Sequence, residues 1–387
     1  MHFQTKALKN LSPQFREGNL SIAEIPFEST CFSLPTVESW EEYFEGERKA
    51  FCYASDSNPS TWELEQALAM LQGEEDCIVT STGKSAISQT LLCLLSAGDE
   101  VLLLKEGYKS TRIFAESVLK SFGVKSRLVS VDDLQALDSM IAPNTKLFLF
   151  ESPTNPLTRV IDIASVISTC KRHQVLTMFD NSLGGFHQHQ RLGIDIIIHS
   201  LSKYATGLGD VMGGAILGSS SLLSQIRSRL LYFSDTLNPT AATKIRQGLL
   251  SYLIRYKTQS ASALEISQYL SEHPLVTQVL YPGLETHPDH AVAKKQMNEF
   301  GGILNFNLNG SERELKLFIN SLTLFRLAFG TGFVRSIVGP TRLFYARSDR
   351  DTWNGEYGVS ETGVRFSIGL ENSFDLIEDI DQALGRL

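Results

Sequence analysis

The sequence has 387 residues, a net charge of −8 at pH 7, 42% hydrophobic residues and 20% charged residues. These values are typical of a globular protein of more than one domain and argue against a nucleic-acid-binding chain. We expect no membrane-spanning segment, because no apolar run approaches the required length, and no secretion signal at the start. The five cysteines have no metal-ligand spacing, so we expect reduced thiols in a cytoplasmic protein without a metal site.

Strand and helix patterns alternate after an irregular arm at residues 1–55. The patterns predict helices at 61–73, 83–98, 110–123 and 162–174, and strands at 76–81, 99–106, 146–153, 175–182, 194–202 and 213–220. This alternation is typical of right-handed βαβ units and a mostly parallel sheet. We expect the first helix to begin at Ser60 or Thr61 and to end at Gly73.

Helical patterns dominate the middle of the chain, at 221–233 and 240–272. Beyond Pro274, strands at 301–309 and 363–370 and helices at 311–322 and 373–387 predict a smaller α/β domain. We therefore divide the chain into an arm (1–55), a large domain (56–245) and a small C-terminal domain (246–387). The boundary between the two domains lies on the long helix.

Polar side chains follow the predicted strands at the point where each strand ends. Ligands bind at the carboxyl ends of the strands in such sheets. Lys203 follows an apolar strand there, and a desolvated lysine can form a Schiff base with a carbonyl cofactor. Asp180, one strand earlier, could hold a pyridine nitrogen protonated, or it could only cap a turn.

Hydroxyls and glycines near Lys203 suit a phosphate group. Ser200 and Ser202 flank the end of the same strand, and Gly83 opens a predicted helix whose N-terminus would attract an anion. Gly83 could equally serve turn geometry. Tyr108 could stack on a planar ring or fill the core, and the segment ESPTNP, which contains Asn155, could be only a rigid turn. Their convergence at one sheet edge favours a binding site.

The chain resembles the pyridoxal-phosphate (PLP) enzymes of cysteine and methionine metabolism, which include cystathionine γ-synthase, cystathionine lyases, methionine γ-lyase and the O-acylhomoserine sulfhydrylases. The resemblance covers almost the whole chain, and its most specific segments are ESPTNP, FDNS, HSLSKY followed by GDVMGG, VLYPGLETHP and VRFSIGLE. It implies the aspartate aminotransferase-like α/β fold of PLP-dependent transferases (fold type I), with a mostly parallel sheet domain and a smaller C-terminal domain. It also implies a catalytic dimer, usually paired into a homotetramer.

The resemblance implies a role for each candidate residue. Lys203 would carry PLP and act as general base, Asp180 would pair with the pyridine nitrogen, and Tyr108 would stack on the ring. The remaining roles are contact with the ring hydroxyl (Asn155), phosphate binding (Gly83, Ser200, Ser202), substrate carboxylate binding (Arg365, Ser336), and a tyrosine that reaches the neighbouring subunit's site (Tyr53).

Three positions depart from the usual pattern of these enzymes. Ser55 replaces an arginine that would neutralise the phosphate across the subunit interface. Lys84 replaces a methionine after the phosphate-binding glycine, and could supply that missing charge or point to solvent. Arg335 replaces a glutamate before Ser336; facing the substrate, it would favour a neutral or anionic distal group over an ammonium. Alternatively, Arg335 turns outward to the surface.

The predicted function is PLP-dependent β/γ-elimination or γ-replacement on a small-molecule substrate, a sulfur-containing or γ-substituted amino acid. One alternative is a specialised enzyme that makes an unusual amino acid with a non-standard nucleophile. Another is a protein that has lost catalysis and serves binding or assembly. The presence of Lys203, Asp180, Tyr108 and Arg365 argues against the latter.

Overall fold

The computed structural model describes residues 2–10, 23–47, 50–345 and 358–387. The described residues of the arm include two short helices, α1 (Phe3–Asn10) and α2 (Val37–Phe44), and the other described residues of the arm lie in extended or irregular conformation. Gln4 Nε2 donates to the carbonyl oxygen of Leu250 (2.7 Å), and Phe3 packs against the core of the large domain. The start of the arm is therefore held on the surface of the rest of the chain.

Seven strands form the larger sheet: β1 (Asp76–Thr80), β2 (Glu100–Leu104), β3 (Lys125–Val129), β4 (Thr145–Glu151), β5 (Leu176–Asp180), β6 (Ile196–Ser200) and β7 (Gly214–Gly218). Their order is β1-β7-β6-β5-β4-β2-β3. All neighbouring pairs are parallel except those that involve β7, which runs antiparallel to β1 and β6. The mostly parallel sheet is confirmed, and β3, with its polar sequence KSRLV, escaped the sequence prediction.

Helices cover both faces of this sheet: α3 (Pro59–Gln72), α4 (Gly83–Leu94), α5 (Lys109–Phe114), α6 (Leu137–Met140), α7 (Ile163–Arg172) and α8 (Ser220–Leu230). α5 continues as a π-helical turn at Ala115–Leu119. The expected start of α3 was wrong. Asn58 is the N-cap and accepts the N–H of Ser60, because Pro59 needs no hydrogen-bond acceptor at the first helical position. The predicted end is confirmed, with Gly73 at φ +83°.

The long helix α9 (Pro239–Glu272) has 34 residues. Its buried apolar side chains as far as Tyr256 belong to the core of the larger sheet, and those from Ala263 onward belong to the core of the second sheet. A single helix therefore connects the two cores. The domain limits at residues 55 and 245 stay predictions.

The second sheet has five strands: β8 (Val276–Leu280), β9 (Ile303–Leu308), β10 (Arg326–Leu327), β11 (Ile337–Pro340) and β12 (Gly363–Ser367). Their order is β10-β11-β12-β9-β8, antiparallel apart from the β10–β11 pair. The accompanying helices are α10 (His290–Gln296), α11 (Glu312–Ser321), α12 (Thr341–Tyr345) and α13 (Ser373–Leu384). Within the described ranges, no helix is long and apolar enough to cross a bilayer, and no histidine, cysteine or carboxylate cluster could hold a metal ion.

Candidate active site

A cavity of about 580 Å³ lies where β4, β5 and β6 end. Its far wall comes from the second sheet and from the segment between β10 and β11. Nine of the twelve predicted site residues line it: Gly83, Lys84, Tyr108, Asn155, Asp180, Ser200, Ser202, Lys203 and Arg365. The structure thus brings together residues that are up to 282 positions apart in the chain, from Gly83 to Arg365.

Lys203 lies in the turn that follows β6, and its Nζ atom is 6.0 Å from the centre of the Phe333 ring. Burial lowers the pKa of this amine, and the positive charge of Arg365 lowers it further, while Asp180 opposes the shift. A lowered pKa increases the fraction of the unprotonated, nucleophilic amine.

Asp180 and Glu151 are paired opposite each other at the ends of β5 and β4. Burial raises the pKa of Asp180, against the N–H of Ser182 (3.0 Å) and the charge of Lys203. Burial and the negative charge of Asp180 raise the pKa of Glu151 to about 8. Two carboxyl groups this close favour a state in which they carry fewer than two negative charges.

Glu151 also positions two other residues of the cavity wall. Its carboxylate oxygens accept the backbone N–H groups of Asn155 (2.8 Å) and Tyr108 (3.1 Å). The side-chain oxygen Oδ1 of Asn155 is buried and has no hydrogen-bond partner in the described part of the chain. It is therefore available to a bound molecule.

One corner of the cavity has the composition of an anion site. Gly83 is the first residue of α4, whose N-cap Thr82 forms a capping box with Ser85. Ser200 packs directly against Gly83, and Ser202 Oγ accepts the N–H of Gly213 (3.1 Å). The exposed side chain of Lys84 lies at the same helix end. Backbone N–H groups, hydroxyls and an ammonium group together suit a phosphate.

Arg365 lies at the opposite side of the cavity, in β12, and is 1% exposed. Its Nη1 donates to the carbonyl oxygen of Gly330 (2.9 Å), its Cζ lies 4.4 Å from the centre of the Phe344 ring, and its Nε has no partner among the described residues. Burial lowers its pKa to about 10, so it remains a cation at neutral pH. A buried guanidinium with an unpaired N–H can bind a carboxylate.

The sequence profile of the family described as Cys/Met metabolism PLP-dependent enzyme matches residues 5–385. In addition, L-methionine γ-lyase of Pseudomonas putida is 34% identical over 389 residues, which cover 99% of this chain and 97% of that protein. The chain belongs to the Cys/Met metabolism PLP-dependent enzyme family. The predicted family and the prediction of a PLP-dependent enzyme are confirmed.

Two solved structures of similar proteins extend the likeness to three dimensions. One, described as an O-acetylhomoserine (thiol)-lyase from Campylobacter jejuni, has a TM-score of 0.93 and 27% identity over 100% of both chains, and contains N′-pyridoxyl-lysine-5′-monophosphate. The other is cystathionine γ-synthase from Xanthomonas oryzae in complex with cystathionine, with a TM-score of 0.92, 29% identity and coverage of 100% of this chain and 98% of that one. The predicted fold class is confirmed.

The residues of this family member fit PLP. The cavity offers an amine of lowered pKa at Lys203, a carboxylate at Asp180, an unpaired buried oxygen at Asn155, and a helix N-terminus at Gly83. These groups match an aldehyde, a pyridine nitrogen, a ring hydroxyl and a phosphate respectively.

Three of the predicted site residues do not line the cavity: Ser336, Arg335 and Tyr53. Ser336 is fully buried; its hydroxyl donates to Glu371 Oε2 (2.9 Å) and accepts the N–H of Gly369 (2.9 Å). Arg335 is exposed. The exposure of Arg335 agrees with the alternative in which it turns outward to the surface. Contact of Ser336 with the substrate carboxylate stays a prediction. Tyr53 is 51% exposed and lies outside the cavity of its own chain, so its cross-subunit role stays a prediction.

Other residues of the cavity wall escaped the sequence analysis. Among them are Glu151 and three aromatic residues, Phe329, Phe333 and Phe344. Glu151 could have been found, since it begins ESPTNP at a strand end. The phenylalanines gave no such signal, because apolar side chains are more often part of a core, whether they lie in an irregular stretch (Phe329, Phe333) or in a short helix (Phe344).

Proposed function

We propose that this PLP-dependent enzyme catalyses β/γ-elimination or γ-replacement on a sulfur-containing or γ-substituted amino acid. The observation that supports the proposal is that Lys203 and Arg365 line one cavity from two different sheets. An amine for the cofactor and a guanidinium for a carboxylate are the two anchors that an α-amino acid needs.

Lys203 would hold the cofactor and then move a proton. Bound PLP supplies an electron sink for proton loss at the substrate's α carbon. The lowered pKa of Lys203 favours the unprotonated amine, which would accept that proton, and the resulting ammonium group could later return a proton to the substrate.

The other residues would bind and orient the cofactor and the substrate. Asp180 would accept a hydrogen bond from the protonated ring nitrogen, Tyr108 would stack on the ring, and Asn155 would contact the ring hydroxyl. Gly83, Ser200 and Ser202 would bind the phosphate, with Lys84 as its cation. Arg365 would bind the α-carboxylate through Nε, and the burial of this guanidinium strengthens the interaction by excluding water.

We also propose a homotetramer of catalytic dimers in the cytoplasm, with Tyr53 reaching the partner's site. Large apolar side chains stay exposed in the arm of the isolated chain, among them Val37 (72%) and Phe44 (73%). Such surfaces are often covered by a partner. The five free cysteines are compatible with a reducing compartment. Light scattering of the purified protein tests the assembly.

The chemical test uses the purified holoenzyme. Borohydride should fix the cofactor to Lys203, as a peptide mass would show, and Lys203→Ala should lose this bond and all turnover while it remains folded. A panel of cysteine, cystathionine, methionine and O-acylhomoserines, with and without a thiol, then separates elimination from replacement. A Lys203→Ala protein that still traps PLP covalently, or an unmodified enzyme that turns over none of the panel, would contradict the proposal.

A further inference from the structure

The wall of the cavity beyond Arg365 is aromatic. The segment Phe329–Phe333, with the sequence FGTGF, lies in the connection between β10 and β11 and is called here the aromatic segment. It contributes Phe329, Gly330, Thr331 and Phe333 to the cavity, and Phe344 of α12 lies beside it. The Phe329 and Phe344 rings meet edge to face, with their centres 5.1 Å apart.

Hydrogen bonds hold the aromatic segment from three sides. Gly332 N–H donates to Ser367 Oγ (3.2 Å), whose oxygen also contacts Thr331 Oγ1 (3.1 Å). Gln259 Nε2 donates to the carbonyl oxygen of Phe333 (2.7 Å). The next residue, Val334, donates its N–H to the carbonyl oxygen of Gly207 (2.7 Å), in the turn after Lys203. The segment is therefore anchored to α9, to β12 and to the lysine turn.

Both glycines of the aromatic segment are sterically required. Gly330 has φ +143°, and a Cβ atom there would lie 2.5 Å from the Phe333 ring. Gly332 has φ +73°, and its Cβ would lie 2.7 Å from the backbone nitrogen of Tyr204. The carbonyl of Gly330 also accepts the Nη1–H of Arg365. The backbone conformation of the aromatic segment thus fixes the position of the Arg365 guanidinium and that of the phenylalanine rings.

The placement of these groups dictates what the distal part of a substrate meets. An amino acid with its carboxylate at Arg365 and its α carbon near Lys203 would lie beside Phe344, whose ring packs on the guanidinium, and Phe333, whose ring lies near the amine. Phe329 lines the same cavity and is largely exposed. Apart from Lys203 and Arg365, the charged residues of the described wall are Glu151 and Asp180 at the strand ends, Lys84 at the helix end, and Asp210, which pairs with Lys244 (3.2 Å). None of these four belongs to the aromatic segment.

We propose that the aromatic segment selects amino acids whose γ-substituent is uncharged and apolar, such as an alkyl or aryl thioether, and discriminates against a distal ammonium or carboxylate. This inference rests on the proposed function, because it takes Lys203 and Arg365 as the anchors of the amino acid. An apolar group gains contact with the rings, whereas a charged group finds no counter-charge in the described aromatic segment.

The test compares two amino acids of equal backbone and similar length that have no leaving group. Norleucine ends in a methyl group and lysine ends in an ammonium group. Dissociation constants for the holoenzyme come from changes in the cofactor spectrum. Norleucine should bind at least roughly tenfold more tightly than lysine, and Phe329→Glu should reduce that ratio roughly tenfold or more. The same variant should lower kcat/KM for S-ethylhomocysteine relative to kcat/KM for cystathionine.

Leu327→Glu is the matched control, because Leu327 is 66% exposed against 71% for Phe329, lies two residues away, and does not line the cavity. It should leave the binding ratio unchanged. Equal binding of norleucine and lysine, or an equal effect of the two variants, would overturn the inference. The binding comparison requires no turnover, so an enzyme that binds norleucine selectively but converts none of the substrate panel would contradict the proposed function alone.

Discussion

A Cβ atom on Gly83 would lie 2.8 Å from the Cβ atom of Ser200, so the start of α4 is pressed directly against the end of β6. The contact aims the N-terminus of the helix and the Ser200 hydroxyl into the same corner of the cavity. We expect Gly83→Ala to separate them and to raise the dissociation constant of PLP roughly tenfold, since distances between donors and phosphate are altered. Dialysis followed by cofactor titration measures it.

The control for this substitution is Gly385→Ala near the C-terminus. The nearest atom to a Cβ there is 3.4 Å away, in ordinary contact, and φ is negative. It should leave PLP affinity unchanged. Equal affinities of the Gly83→Ala and unmodified proteins would mean that the close contact does not position the phosphate site.

Lys84→Met tests whether Lys84 is the counter-charge of the phosphate. A phosphate with nearly two negative charges needs a cation or several donors when it leaves water. We expect the dissociation constant of PLP to rise severalfold, and to rise most at low salt because Lys84 is exposed. Lys120→Met, an exposed lysine outside the cavity, should have no effect. If Lys84→Met binds PLP with unchanged affinity, the backbone amides and the hydroxyls suffice to bind the phosphate without Lys84.

Glu151→Ala and Glu151→Gln test the carboxylate that supports Tyr108 and Asn155. The alanine variant leaves two backbone N–H groups without their acceptor, which should lower the free energy of unfolding by about 2 kcal/mol or more. The glutamine variant retains one acceptor oxygen and should lie between the alanine variant and the unmodified protein. Urea unfolding and PLP titration check this order. A glutamine variant weaker than the alanine variant would contradict it.

Because His199 is buried, it should lower the free energy of unfolding of the protein in acid. Burial lowers its pKa to about 3, with a smaller contribution from His189; it stacks on Phe186 and bonds Gln72 through Nε2 (2.7 Å). The folded-state pKa lies below the ordinary value of 6.5, so this stabilisation is full above pH 6.5 and is lost as the pH falls toward 3. One such group contributes a slope of about 1.4 kcal/mol per pH unit in that window.

His199→Gln should therefore reduce the slope of unfolding free energy against pH between 6 and 5 by about that amount, although the variant is less stable at pH 7. His189, whose pKa burial lowers to about 4, keeps its own share of the slope. Parallel pH profiles for the variant and the unmodified protein would show that His199 does not carry this dependence.

The long periodic elements and the chemistry at the strand ends could be predicted from the sequence. Lys203, Asp180 and Ser200 follow apolar strands, and parallel strands bring their carboxyl ends to one edge, so local pattern predicts a shared site. The short strands β10 and β11 could not be found this way. β10 has two residues, and β11 contains Gly339 and Pro340, so neither shows the alternation of a strand.

The side of the cavity that comes from the second sheet was the least predictable. Arg335 and Ser336 were named because of the resemblance to the PLP enzymes, yet neither lines the cavity of the chain. Which residue of an irregular connection faces a cavity depends on backbone angles such as that of Gly330, and those angles follow from tertiary contacts rather than from local sequence. Glu151 was predictable in position but not in its pairing with Asp180.

Helix α9 contributes to the cores of both sheets that border the cavity. At 1.5 Å per residue its 34 residues span about 50 Å without interruption, from the core behind Lys203 to the core that carries Arg365. A hydrogen-bonded rod of this kind resists bending far more than a loop does. The core behind Lys203 and the core that carries Arg365 are therefore joined by an unbroken helix and not by a flexible loop.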